Sequence, residues 1–355
     1  MSSFCVIVGE MKYPLYIFTV LTLLLPQSVF AMSDTLRDVY DQRPDLQAVF
    51  TQEGETVAPG AAGFLMHLED WAQQYGWQSV PELASYAPEV APPQRLNLHA
   101  DPVVDAAAWI VVDRSSGKIL AANGAEKLWP IASITKLVTT DVVTKQTTAL
   151  DQSWDVRNTD NVGGARLYVE DGTWFPVREL LSAALIGSAN NAAYAISRVL
   201  GVPQSTFVGL MNDRVRTMGL RRTTLVDPTG IEVENQSTAR EIAYLAREVF
   251  ANNETVRKTT QTVRAPLQGS DGIVRTITTT NWMLYKPQYD DVWVTGGKTG
   301  FLYESEWNVV EQLRPSQYEG ERELIVVVFG SASRGESFDN VQRLSKWVWS
   351  EFDWN

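Results

Sequence analysis

The chain has 355 residues, 45% of them hydrophobic and 20% charged, with a formal net charge of -12. That size suits one large globular domain with a smaller piece attached, and the acidic balance speaks against nucleic-acid binding, which draws on clustered Lys and Arg. The single cysteine, Cys5, excludes a disulfide framework, and the only two histidines, His67 and His99, exclude a Ser-His-Asp triad anywhere beyond residue 100.

The N-terminus has the layout of an export signal over residues 1–31. Met11-Lys12 supplies a positive start, Tyr16 to Leu25 an apolar core, Pro26 a break, and Val29-Phe30-Ala31 small residues before a cut. The apolar core is short for a bilayer span, so the expectation is an exported chain with no stable membrane anchor after cleavage. Residues 32–86 read as a small helical segment. Leu36, Val39 and Tyr40 suggest a short helix ended near Pro44, and Phe64, Leu68, Trp71 and Tyr75 make an apolar stripe on a helix from Gly63 to Tyr75. His67 on that helix reads as a surface residue. The proline-rich stretch 87–102 reads as a linker.

The main domain is expected over 103–355. Ala108–Val112 and Lys118–Ala122 flank the turn residues Asp113-Arg-Ser-Ser-Gly117 and predict a hairpin. An apolar helical run starts near Leu137. Gly163-Gly164 marks a loop. Helices are predicted from Val177 to Ile186, with Pro176 at a favoured first position, from Asn191 to Leu200, and from Gln204 to Met218 with Gly219 ending it. A further helix follows Ser237. Val292–Thr295, Trp307–Val310 and Leu324–Phe329 are β-rich, and a last helix over Val341–Phe352 aligns Leu344, Trp347, Val348 and Phe352. A strand hairpin, a helical block, then strands and a helix describe an α+β domain with an antiparallel sheet.

Three motifs carry chemistry. Ser133 and Lys136 stand three residues apart at a helix start, on one face. An alcohol needs an adjacent base to become a nucleophile, and a buried lysine beside a second cation can be that base. Ser188-Ala189-Asn190 lies at a break between two predicted helices, where short polar residues also serve as caps. Lys298-Thr299-Gly300 follows a β-rich run and Gly296-Gly297; by itself it reads equally as a strand end with an exposed lysine.

In this order, Ser-x-x-Lys, Ser-x-Asn and Lys-Thr-Gly form a specific pattern. The chain resembles the penicillin-binding serine peptidases, most closely the small D-alanyl-D-alanine carboxypeptidases and endopeptidases. Phe207–Gly219, Asp227-Pro-Thr-Gly230, Ser237-Thr-Ala-Arg240 and Thr279-Thr-Asn-Trp282 extend the resemblance over roughly 103–350. It implies a β-lactamase/penicillin-binding transpeptidase-like fold acting in the periplasm or cell-wall space, with peptidoglycan stem peptides as substrate and β-lactams as covalent inhibitors. It implies Ser133 as nucleophile, Lys136 as its base and Ser188 as proton relay. Asn190 would hold the substrate amide, Lys298 and Thr299 its terminal carboxylate, and the strand ending at Lys298-Thr299-Gly300 would accept the peptide as an added strand. The backbone N–H groups of Ser133 and Phe301 would form the oxyanion hole. No metal or cofactor is called for.

After Gly300 the run Phe-Leu-Tyr-Glu-Ser-Glu-Trp307 departs from the smaller residues usual in this family. Glu304 and Glu306 would repel an acidic stem peptide or select an amino-bearing one. The chain also stops soon after the Trp347 helix, which favours the single-domain, endopeptidase-like kind. Two alternatives stand beside this reading. A serine β-lactamase shares the motifs, but no clear Glu-x-x-x-Asn loop for rapid deacylation lies between Ser188 and Lys298. A non-catalytic wall-binding protein with the same fold is the other.

Overall fold

The computed structural model describes residues 51–52, 55–56 and 91–354, and the chain divides into two units, Met1–Ala87 and Pro88–Asn355. In the first, Thr51–Gln52 pairs antiparallel with Glu55–Thr56. The expected export signal and the helices expected at 36–44 and 63–75 lie outside the described residues.

In the second unit, β1 (Ala108–Asp113) and β2 (Ile119–Asn123) form the expected hairpin. A single 3-10 turn, Ala132–Thr135, runs into α1 (Lys136–Gln146). The helical block continues with α2 (Val177–Leu185), α3 (Asn190–Ser197) and α4 (Gln204–Thr217). α5 (Ala239–Asn252) begins at Thr238, whose hydroxyl accepts from the Glu241 N–H, and α6 (Glu254–Thr260) begins at Asn253, whose side chain accepts from the Val256 N–H. Then come β3 (Trp293–Leu302), β4 (Glu306–Arg314), β5 (Leu324–Ser331) and α7 (Arg334–Glu351).

These strands form one antiparallel sheet in the order β3-β4-β5-β1-β2, so β3 is an edge. Every residue of β1 and β5 is buried, as expected where helices cover both faces. Ile110, Val112, Val310, Ile325, Val327 and Phe329 face the core shared with α1–α6. Val111, Val309, Leu313, Val326 and Val328 face Phe338, Val341, Leu344 and Val348 of α7. The period-2 alternation of a strand thus divides one apolar run between two cores.

Several boundaries differ from expectation. Pro176 closes a short strand, Thr173–Pro176, paired with Ser153–Val156, and caps α2 from outside because its backbone is extended. α3 starts one residue earlier and ends at Ser197. α7 starts at Arg334 because Ser333 caps it, accepting from the Glu336 N–H at 3.1 Å. β3 does not end at the Lys-Thr-Gly motif but runs on to Leu302, in register with Glu306. A second hairpin, Arg264–Gln268 with Val274–Thr278, was not foreseen. Gln94–Arg95, in the stretch read as linker, pairs with Phe352–Asp353. Glu351 there accepts from the backbone N–H of Leu98 at 3.1 Å and of His99 at 2.8 Å. That second half of the stretch is tied to the domain.

α1 is the central helix: residues Lys136 to Val143 are all buried. Its valines and threonines are mediocre helix formers, so tertiary packing holds it. Asp141 anchors it, accepting from Arg214 Nε at 2.7 Å and from Asn253 Nδ2 at 2.7 Å. Asp141→Ala removes the shared acceptor, leaving Arg214 with Glu248 and Asn253 with Thr144, and is expected to cost about 2 kcal/mol of stability. The check is a lower urea midpoint with an unchanged slope.

Candidate active site

The turn that carries Ser133 is held by backbone contact. Ala132 sits in the left-handed region at φ 49°. Gly230, itself at φ +81°, packs so closely that a Cβ there would lie 1.9 Å from the Ala132 carbonyl oxygen. On the other side a Cβ on Gly300 would lie 2.7 Å from Ile131 O and 3.2 Å from Ser133 N. Two glycines therefore let a loop and the edge strand close on the same turn.

Helix α1 then places Lys136 under Ser133. Lys136 is fully buried, and its Nζ meets three oxygens: Ser133 Oγ at 2.8 Å, Asn190 Oδ1 at 2.7 Å and Thr229 O at 2.7 Å. Burial, and secondly the charge of Lys298, hold its amine well below the usual lysine range, while Asp227 opposes them. Asp227 builds the turn that supplies Thr229 O. Its carboxylate accepts from the N–H groups of Thr229 and Gly230 at 2.6 and 3.0 Å, and from the Thr229 hydroxyl and the Asn235 amide.

Ser188 is also in the left-handed region, at φ 58°, a conformation that a non-glycine residue holds only when its surroundings impose it. Its Oγ accepts from Lys298 Nζ at 3.0 Å. Lys298 is buried on β3 and donates also to Thr299 O at 2.8 Å. Burial and then the Arg334 guanidinium lower its amine to about 7, with Glu311 opposing. The Thr299 and Thr280 hydroxyls lie 2.6 Å apart, and Arg334 donates to the Thr280 carbonyl. Asn190 does more than face the cleft: its Nδ2 donates to Gly163 O at 2.8 Å, tying Lys136 to the Gly163-Gly164 loop.

Ser133, Ser188, Asn190, Thr299, Gly300 and Phe301 line one cleft with Thr280, Glu304, Trp307 and Arg334. Lys136 and Lys298 reach it through the two serines. All eight residues singled out in the sequence thus meet at one place. The Phe301 ring packs on Trp307 at 4.5 Å and on Tyr303 at 5.5 Å. Glu304 lines the rim; Glu306 is exposed outside it. Sequence reasoning did not assign Thr229, Asp227, Gly230, Thr280, Glu311 or Arg334. Four of these lie in Asp-Pro-Thr-Gly and Thr-Thr-Asn-Trp, segments that it quoted without roles. Nothing in the local pattern marks Glu311 or Arg334. Among the described residues no group of His, Cys, Asp or Glu is arranged to hold a metal ion.

A family model described as D-alanyl-D-alanine carboxypeptidase matches residues 96–333. The chain is 28% identical over 271 residues to the D-alanyl-D-alanine carboxypeptidase DacC of Escherichia coli, covering 71% of this chain and 63% of that protein. It is 31% identical over 161 residues to a D-alanyl-D-alanine endopeptidase of Pseudomonas aeruginosa, covering 45% of this chain and 52% of the other. The chain thus spans less than two thirds of either relative's length. In fold it is similar to the Streptomyces K15 DD-transpeptidase, with a TM-score of 0.64 at 22% identity, over 71% of this chain and 100% of that one.

The two amines give a direct test. In lysine carbon-13 NMR, Lys298 is expected to titrate near 7, charged below and neutral above, while Lys136 titrates well below the usual lysine range. Lys298→Gln removes the first titration and, by deleting a positive neighbour, moves Lys136 upward. An unchanged Lys136 would break the link between the two.

Proposed function

The chain belongs to the D-alanyl-D-alanine carboxypeptidase family, and from that premise we propose that it is an exported serine peptidase which cleaves D-alanyl bonds of peptidoglycan stem peptides through an acyl-enzyme on Ser133. One observation carries this reading: among the described residues the buried Lys136 amine has three oxygen neighbours and no carboxylate bonded to it. A neutral amine offers two N–H donors and one lone pair. Asn190 Oδ1 and Thr229 O take the donors, and the lone pair is left for the Ser133 hydroxyl proton. That is the arrangement a general base needs within hydrogen-bond reach.

In this scheme Ser133 Oγ attacks the carbonyl before the last D-alanine and its proton passes to Lys136. The oxyanion lies between the N–H groups of Ser133 and Phe301, each donor worth about 3 kcal/mol of barrier. Ser188, held by Lys298, passes its proton to the leaving amine and regains one from Lys136, which returns that base to its neutral form. Lys298 and Thr299 bind the carboxylate that ends the substrate, so binding weakens as pH rises through about 7 and Lys298 loses its charge. The peptide lies along the open edge of β3 as an added strand. Water then cleaves the ester. Cutting a terminal D-alanine and cutting a cross-link use the same steps.

Glu304 on the rim favours a substrate that bears an amine upstream of the cut. Glu304→Gln is expected to lower the preference for amine-bearing over N-acetylated stem peptides about fivefold, the size of an exposed charge pair of ~1 kcal/mol, read as a ratio of kcat/KM. The main test is incubation with labelled penicillin and mass mapping of the adduct. It should fall on Ser133, be absent in Ser133→Ala, and form at least about 100-fold more slowly in Lys136→Ala. No adduct, or one elsewhere, overturns the reading. Digestion of purified cross-linked wall then distinguishes trimming from cross-link cleavage by product.

A further inference from the structure

Glu311 is a buried ionisable group that the reaction above leaves unused. It lies on β4 with no exposed surface, directly across from Gly297. A Cβ on Gly297 would come within 2.1 Å of Glu311 Oε2, so the carboxyl lies flat over that glycine. Oε2 accepts from Asn281 Nδ2 at 2.9 Å, and Oε1 has no hydrogen-bond partner among the described residues. Gly297 directly precedes Lys298. Asn281 directly follows Thr280, whose hydroxyl meets that of Thr299. The carboxyl therefore braces a chain neighbour of Lys298 and a chain neighbour of the residue that holds Thr299.

The charge state follows from the same contacts. A carboxylate with one amide donor and a bare oxygen in the interior is poorly satisfied, whereas the acid form tolerates it. Burial pushes this carboxyl well above its usual range; the Asn281 amide and, among charged groups, Lys298 oppose that. Arg334 is the other charge acting on Lys298. An anion at Glu311 would favour the Lys298 ammonium but cancel its field at the cleft. With the uncharged acid Lys298 is easier to deprotonate, and its ammonium, where present, is left free to attract an anionic ligand.

We propose that Glu311 is a positioning residue, held as the uncharged acid, that fixes the Lys298–Thr299 pair from the far side without neutralising Lys298. This rests on the reading of that pair as the site of the substrate carboxylate. The test compares wild type, Glu311→Gln and Glu311→Ala. The neutral amide should acylate with benzylpenicillin within about threefold of wild type and with the same pH midpoint. The alanine variant should raise KM for carboxylate-ended peptides about tenfold with kcat little changed, a positioning loss. A shifted midpoint in Glu311→Gln, or wild-type kinetics in Glu311→Ala, overturns the proposal. An infrared difference spectrum between wild type and Glu311→Gln tests the charge independently of activity and of whether the alanine variant folds. A protonated-carboxyl stretch supports the proposal and carboxylate bands refute it. Failure of wild type itself to label on Ser133 would instead refute the function, and the infrared result would still decide the state of Glu311.

Discussion

Two lysine amines are enclosed in a folded domain, and among the described residues neither is bonded to a carboxylate. Removing an ammonium from water is costly unless an opposite charge replaces the lost hydration, and here the replacement consists of neutral oxygens: a hydroxyl, an amide and a carbonyl around Lys136, a hydroxyl and a carbonyl around Lys298. Both amines are thereby driven toward the uncharged form, and the charge of Lys298 makes Lys136 harder still to protonate. The base and the anion-binding cation of the proposed reaction would thus come from the same residue type. They differ in depth and neighbours, Lys136 lying well below its usual range and Lys298 near 7.

That arrangement tolerates little movement, and the scaffold is built accordingly. Ser133 sits on a turn squeezed between Gly230 and Gly300, where any side chain would collide with backbone. The Asp227 carboxylate stiffens the loop that offers its carbonyl to Lys136. On the opposite side β3 is fixed by β4 along its length, and Glu311 fills the space that Gly297 leaves empty. The edge of β3 that does not pair with β4 borders the cleft. One strand thus belongs to the core on one side and to the cleft on the other.

The helices and buried strands were readable because their signals are local. The hairpin of β1 and β2, helix α4 with its terminal glycine, and the strand Leu324–Ser331 are set by apolar spacing and turn residues within a few positions. The two peripheral hairpins escaped notice because their strands alternate weakly and contain Pro266 and Pro176. The Lys-Thr-Gly strand looked shorter than it is because its glycines lack strand propensity. They are tolerated in β3 because Glu311 and the Ser133 turn need the room.

The order and identity of Ser133, Lys136, Ser188, Asn190, Lys298, Thr299 and Gly300 were present in the chain itself, and they sufficed to point to the family, as the absence of histidine beyond residue 100 pointed to a lysine as the expected base. What the sequence could not contain is which groups share a partner. Asn190 as a bridge between Lys136 and a loop, Thr229 as the third acceptor, Thr280 and Arg334 beside Thr299, and Glu311 behind Lys298 are all contacts between distant segments. The charge on a buried amine depends on those contacts, because it is set by which oxygens replace water, and that replacement exists only once the chain has folded.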